Sequence, residues 1–325
     1  MSTAPANPAQ SVSLREILRR YNVLITFLVT VGFATAATSG LFLAPENLLN
    51  VGERASVVGI VALGQMLVIL TGGIDLSVGG LIAVALLVIS KTSAAGLPVP
   101  LCLLLALLSS MAAGALNGFL ISRTRVPPFM ITLGTMLFWF SFTLYFTGAS
   151  QLEYYALQRF LNGFFRLSRL GSRILPTASW LVLSALLIFV LGRTRFGSNV
   201  YAVGGKELAA RLSGIRTENV KLAVYTLSGL FSGVSAVVLA YRLAASNPDI
   251  GTALLLESIA AVVVGGTNIN GGEGSIYGTF IGAIIMAALV NVLNLLEADP
   301  YIQEAIKGLM LVGFVVIIQV LSRRK

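Results

Sequence analysis

The stretch Gly72-Gly73-Ile74-Asp75-Leu76-Ser77-Val78-Gly79-Gly80 interrupts a long apolar run. Glycines and one carboxylate stand where a membrane-spanning helix would otherwise continue. Far downstream the same grammar returns as Gly265-Gly266-Thr267-Asn268-Ile269-Asn270-Gly271-Gly272-Glu273-Gly274. Both stretches read Gly-Gly, a β-branched residue, Asp or Asn, an aliphatic residue, then Ser or Asn. Aligned this way, Gly72 pairs with Gly265, Gly73 with Gly266, Asp75 with Asn268 and Ser77 with Asn270. Broken hydrophobic helices at corresponding places in two halves mark a duplicated transporter with its pathway at the breaks.

Composition points the same way. The 325 residues are 56% hydrophobic and only 11% charged, against about 25% charged for a soluble domain. The mean hydropathy is +0.90. The formal charge of +9 is spread between apolar runs, which reads as a topology signal and not as a nucleic-acid surface. There is no histidine and a single cysteine, Cys102. An intramolecular disulfide, His-based catalysis and a structural metal site are all excluded or disfavoured. Arg15, Arg19 and Arg20 precede an apolar run containing Ala34-Thr35-Ala36, a signal-peptidase-like site. The run continues to about residue 43, long enough to span, so an uncleaved first helix is expected.

The expected class is an all-α polytopic membrane protein of about ten transmembrane helices with two broken-helix repeats. The spans are expected at 22–43, 54–71, 77–90, 100–122, 129–147, 175–192, 220–242, 253–264, 275–296 and 302–321. The segments 1–21, 123–128, 193–219 and 322–325 are basic, while the turns 44–53, 246–252 and 297–301 carry Glu46, Glu53, Asp249, Glu297 and Asp299. The positive-inside rule therefore puts both termini in the cytoplasm. Residues 1–21 form a cytoplasmic N-terminal segment, 22–321 the transmembrane domain and 322–325 a basic tail. Segment 148–174 is the exception. It falls outside yet carries Arg159, Arg166, Arg169 and Arg173 against Glu153. The two breaks follow spans in the same direction, so the repeats are expected to be parallel.

Asp75 admits two readings. A carboxylate inside a membrane span marks an ion or solute contact. It also caps the helix starting near Ser77, and the Asn at the matching position, 268, caps equally well. The glycines Gly72, Gly73, Gly79, Gly80, Gly265, Gly266, Gly271 and Gly272 serve turns and close packing. No Gly-Lys-Ser/Thr follows them and no Rossmann fingerprint opens a helix, so the chain holds no nucleotide site of its own.

Segment 204–215 reads Gly204-Gly205-Lys206-Glu207-Leu208-Ala209-Ala210-Arg211-Leu212-Ser213-Gly214-Ile215. Lys206 to Leu212 favour helix, and Gly214 stops it. Leu208 and Leu212 share one edge. It is too polar to span, so it either lies on the lipid surface or docks into a cytosolic partner.

Taken together, Ile69 through Gly80, the Glu207-to-Gly214 segment and the run Ala260-Ala261-Val262-Val263-Val264-Gly265-Gly266-Thr267 resemble the permease subunit of ribose-type ABC importers of bacterial inner membranes. The resemblance covers roughly residues 22–321. It implies two permease copies, or two related permeases, around one pathway for a small sugar or sugar-like solute. It implies a periplasmic solute-binding protein and a cytosolic ABC ATPase, with ATP bound by that partner and no cofactor here. Lys206, Glu207, Leu208, Ala209, Arg211, Leu212 and Gly214 then form the ATPase-coupling segment. Gly72, Gly73, Asp75, Ser77, Gly79, Gly265, Gly266, Asn268, Asn270 and Gly272 line the broken-helix pathway. The family's coupling segment more often has Ala where this chain has Leu208. The rivals are a branched-chain amino-acid permease and an ion-coupled secondary carrier. The carrier would need more intramembrane carboxylates than Asp75.

Overall fold

One helix is hydrophobic on every side. In α2 (Pro45–Leu70) every residue from Ala55 to Leu70 is buried, as expected of a helix fully surrounded by others. In the computed structural model, which describes residues 21–124, 126–165, 168–299, 301–309 and 312–313, the rest of the bundle is built round it.

The order is α1 (Asn22–Ala37), α2, α3 (Val78–Ala94), α4 (Val99–Arg123), α5 (Pro128–Thr147), β1 (Leu152–Glu153), α6 (Tyr155–Phe164) and α7 (Arg169–Arg193). It continues with α8 (Arg195–Gly205), α9 (Glu207–Leu212), α10 (Thr217–Leu243), β2 (Ala245–Ser246), α11 (Ile250–Val264) and α12 (Ile276–Leu295). Residues 301–309 are helical too. Helices α7, α10, α11 and α12 pack directly on α2, and α10 also lies along α4 and α3. Small residues make the α4–α10 approach close. A Cβ added to Gly114 would lie 2.5 Å from the Tyr225 carbonyl oxygen, so this seam is a small-residue membrane packing.

Six described helices are long and apolar enough to cross a membrane: α2, α4, α5, α7, α10 and α12. Three more, α1, α3 and α11, are apolar but shorter. The all-α class therefore holds. The expected last span, 302–321, is described only at 302–309 and 312–313, and segments 1–20 and 322–325 lie outside the described residues.

Three sequence boundaries are corrected. The first span ends at Ala37, not near 43, because Ser39 and Gly40 take positive φ and a 3-10 turn follows at Leu41–Leu43. The second begins at Pro45, nine residues before the expected 54. Its polar first turns look like loop in sequence, but Asn47, Glu53 and Arg54 find partners on other helices. Asn47 exchanges amide bonds with Asn291 (2.9 and 2.8 Å), Glu53 holds Arg173 (2.8 Å), and Arg54 holds Glu257 (2.8 Å). Pro45 at the first position presets the helical φ. The sixth span starts at Arg169, not 175, with the Ser168 hydroxyl accepting from Gly171 N (3.1 Å).

Segment 148–174 packs onto the protein. β1 pairs antiparallel with β2, Leu152 opposite Ser246. From the amphipathic α6, Gln158 Nε2 donates to the Tyr241 carbonyl (2.5 Å), and Asn162 Oδ1 accepts from the Tyr241 hydroxyl (2.7 Å). This pairing places the C-terminal ends of α5 and α10 on one face of the bundle. Both glycine breaks, α8 and α9 lie at the other.

Candidate functional site

Each break begins with the same helix stop. At the end of α2, Gly72 sits in the left-handed region at φ 78°. Gly72 N donates to Ile69 O (2.9 Å) and Gly73 N to Val68 O (3.2 Å). At the end of α11, Gly266 has φ 83°, Gly266 N donates to Val263 O (2.8 Å), and Thr267 N to Val262 O (3.2 Å). This is the Schellman pattern, which favours glycine because a left-handed residue with a Cβ is strained.

The structural equivalents are thus Gly72 and Gly266, one residue off the sequence pairing of Gly72 with Gly265. Gly265 is right-handed, at φ −66°, and matches Thr71. The shift is absorbed before the turn, by Gly73 and Ile74 in one break and by Thr267 alone in the other. Register then returns. Asp75 Oδ1 accepts from Ser77 N (2.9 Å), and Asn268 Oδ1 accepts from Asn270 N (3.0 Å), an Asx turn in both cases. Gly79 and Gly80 lie inside α3 and not in the break. Gly79 marks a close helix crossing, since an added Cβ would meet the Gly251 carbonyl oxygen at 2.9 Å.

The surroundings differ sharply. Asp75 and Ser77 are 0% exposed. The Asp75 carboxylate takes three donors: Ser77 N, the Ser77 hydroxyl (2.5 Å) and the Ser228 hydroxyl of α10 (2.8 Å). It makes no ion pair among the described residues. Asn117 of α4 donates to Ser77 Oγ (2.7 Å), and Thr132 of α5 donates to the Ile74 carbonyl (3.2 Å). The Gln65 amide of α2, oriented so that both its ends are satisfied, bridges Asp75 O (3.1 Å) and Asp75 N (3.3 Å). Four helices thus close on this break, which obeys the rule that non-helical backbone at membrane depth is buried in protein. Two atoms stay without partners there, Asn117 Oδ1 and the Tyr225 hydroxyl. Gln65, Asn117, Thr132 and Ser228 escaped the sequence reading. Part of the signal was present: Gln65 and Asn117 are amides in apolar helical runs, and a strongly polar side chain in a membrane needs an inward partner.

The second break is looser. Asn268 is half-buried and Asn270 is exposed. Asn268 N donates to Glu273 O (2.8 Å), and Gly271 N to Asn268 O (3.0 Å), so this loop is closed mainly by its own backbone. Its outside contacts go to the first break and to α8. Gly272 N donates to Leu70 O (3.0 Å), and the Tyr201 hydroxyl of α8 donates to Gly274 O (3.1 Å). Gly204 of α8 sits so tightly on both breaks that an added Cβ would collide with Leu70 O and reach Gly272 N at 2.6 Å.

The single extended residue Lys206 (φ −160°) joins α8 to α9. Gly214, at φ 84°, stops α9 by the same bonds as the breaks, Gly214 N to Arg211 O (3.0 Å) and Ile215 N to Ala210 O (3.1 Å). Ala210 is buried. Leu208 is 63% and Leu212 82% exposed; Lys206 and Ala209 are exposed too. The polar side is tied back to α10. Lys221 Nζ lies 2.8 Å from Glu207 Oε2, and Arg211 reaches Glu218 at 2.8 Å and the Thr217 hydroxyl at 3.1 Å. Burial raises the Glu207 pKa, but hydrogen bonds from Lys221 and Thr217 and the charges of Lys221 and Arg211 outweigh it and hold the carboxyl below its ordinary value. The helix therefore presents an apolar edge on a charged anchor.

A broken-helix membrane bundle carrying a protruding, anchored short helix defines a transporter subunit. The family model described as branched-chain amino acid transport system / permease component matches residues 47–315, and the chain belongs to that family. It is 37% identical over 288 residues to the ribose import permease protein of Bacillus subtilis (strain 168), covering 87% of this chain and 86% of that one. The D-allose transport system permease protein of Escherichia coli (strain K12) is 32% identical, over 94% of this chain and 93% of its own. The xylose transport system permease protein of the same strain is 30% identical, over 86% of each. No solved structure matches the chain.

Proposed function

We propose that this chain is the membrane-spanning permease subunit of an ABC importer for a small sugar or sugar-like solute. The observation that carries the reading is the α8–α9 unit. Its apolar edge, Leu208 and Leu212, points away from the bundle, while Gly204 at its root rests on both breaks. A rigid element that offers an outer docking edge and touches the helix interruptions suits coupling of ATP hydrolysis on a separate cytosolic subunit to movement in the membrane. The permeases of ribose, allose and xylose named above support the solute class.

In this reading the α8–α9 face, with Arg193, Arg195, Lys206, Arg211 and Arg216, is cytoplasmic by the positive-inside rule. About ten spans then put both termini on the cytoplasmic side of a bacterial inner membrane, and the Schellman–Asx pairs at the two breaks are the trace of a parallel duplication. A periplasmic binding protein delivers solute to the opposite face. The exposed apolar surface of α5, including Phe129, Leu137, Phe138 and Phe146, meets lipid or a second permease copy.

A branched-chain amino-acid permease is the second reading, favoured by the description of the family model. An ion-coupled carrier is disfavoured by Asp75, whose carboxylate is buried and held by Ser77 and Ser228. Reconstitution of the permease with its ATPase and binding protein decides among the three. Uptake of a labelled monosaccharide that requires ATP and survives ionophores is the expected result. Uptake of leucine instead, or uptake abolished by ionophores without ATP, would overturn it.

A further inference from the structure

At the face opposite the breaks, α2, α10 and α12 line a half-open cavity of about 260 Å³, with Asn50 and Asn294 exposed at its rim. Its walls are four asparagines, Asn47, Asn50, Asn291 and Asn294, and two arginines, Arg54 and Arg242, with Leu295 as the apolar patch. Such a polar concentration is conspicuous in a chain that is 56% hydrophobic. From Asn50 to Leu70 the helix rises about 30 Å, the thickness of the hydrocarbon core. The cavity therefore sits one membrane thickness from the breaks.

Its chemistry is selective. Carboxylates are near but do not line it. Glu257 is 1% exposed and held by Arg54 and Lys307 (2.8 and 3.3 Å), and Glu53 is held by Arg173 and Arg242 (2.8 and 3.5 Å). The cavity thus faces guanidinium and amide groups, which disfavours a cation. Arg54 Nε is buried without a hydrogen-bond partner, and Arg242 Nε has only the 3.5 Å ion-pair contact with Glu53; donor capacity left unmet in a buried site seldom lacks a role. Asn47 and Asn291 satisfy each other as a fixed floor. Asn50 uses its oxygen on Arg173 (2.5 Å), and Asn294 uses its oxygen on Gln303 (3.1 Å). Their amide N–H groups remain for a ligand. Amides both donate and accept, as hydroxyls do. A cavity of about 260 Å³ leaves room for one small ring.

We propose that this cavity is a solute-receiving site for a single-ring, neutral or singly anionic, polyhydroxylated molecule. It deepens the importer reading and rests on it. A solute released by the binding protein is held by Asn50, Asn294 and the two guanidinium groups until the pathway opens, and Leu295 contacts the carbon face of the ring.

The test uses the whole complex of permease, ATPase and binding protein in liposomes, with labelled D-ribose, D-allose and D-xylose as probes. The readout is sugar imported per ATP hydrolysed. Misfolding does not move this ratio, since damaged complexes lose both terms. Asn294→Leu and Asn50→Leu are expected to lower it about tenfold, the effect of losing roughly one well-made hydrogen bond, while Asn294→Gln keeps at least half. An unchanged ratio in both Leu variants overturns the site. So does a parallel fall of uptake and ATPase with loss of assembly, which makes the asparagines structural. If the wild-type complex imports no polyhydroxylated solute at all, the importer reading itself fails and takes the site with it.

Discussion

The two breaks stop their helices by identical hydrogen bonds and then diverge. In the first, four helices close on Asp75, Ser77 and the Ile74 carbonyl, and nothing of the carboxylate is exposed. In the second, the loop from Asn268 to Gly274 satisfies itself and leans on α8 and on Leu70. The same residue grammar thus makes a rigid joint in one half and a surface turn in the other. The difference lies not in the breaks but in the single polar residues of neighbouring helices, Gln65, Asn117, Thr132 and Ser228, which face the first break.

The sharpest way to break this comparison is to remove the two Asx side chains. Asp75→Leu strands the Ser228 and Ser77 hydroxyls and is expected to cost about 3–5 kcal/mol. Asn268→Leu, in a half-buried turn, costs about 1 kcal/mol. Thermal unfolding in detergent measures both, and equal losses would show that the breaks are equivalent. Asp75→Asn keeps the acceptor for Ser77 N, and the Ser228 hydroxyl can turn to accept, so it loses only about 1–2 kcal/mol. If this variant folds normally but cannot transport, the charge itself has a function.

A smaller effect tests the register. Asn tolerates the left-handed region, so Gly72→Asn and Gly266→Asn are expected to cost about 1 kcal/mol or less. Gly265→Asn gains nothing from that tolerance, and its Cβ would meet the Gly278 backbone at 2.5 Å; it should be the worst of the three. The opposite order, with Gly265 the tolerant site, would restore the sequence pairing.

The smallest effect concerns acidity. Because the folded Glu207 pKa lies below its ordinary value, its contribution is present at neutral pH and fades as pH falls through the acid range. The pair is partly exposed, so the change is modest. The protection of α9 amides against exchange, taken relative to their intrinsic rates at each pH, should fall on acidification in the wild type and not in Glu207→Gln.

Much of this was legible in the sequence. Both glycine interruptions, the short helix ending at Gly214, and most spans follow from apolar runs and glycine placement alone. The start of α2 was not, because Asn47, Glu53 and Arg54 look like loop until Asn291, Arg173 and Glu257 are known to face them. Nor was the one-residue slip between the breaks. Gly-Gly offers two candidates for one left-handed position, and only the hydrogen bonds choose. The receiving cavity draws on α2, α10 and α12, residues about 240 positions apart in the chain, beyond the reach of any local pattern.

The α8–α9 unit joins the two breaks, and its outer edge carries the coupling claim. The decisive measurement is ATPase co-purification together with solute uptake, in the same vesicles, for the double variant Leu208→Asp, Leu212→Asp. Both residues are exposed, Leu208 at 63% and Leu212 at 82%, so the permease should insert normally. The expected result is an inserted permease that loses its ATPase, or keeps it with uptake reduced at least tenfold, the effect of about 1.4 kcal/mol. Full ATPase retention with normal uptake would remove α9 from the mechanism.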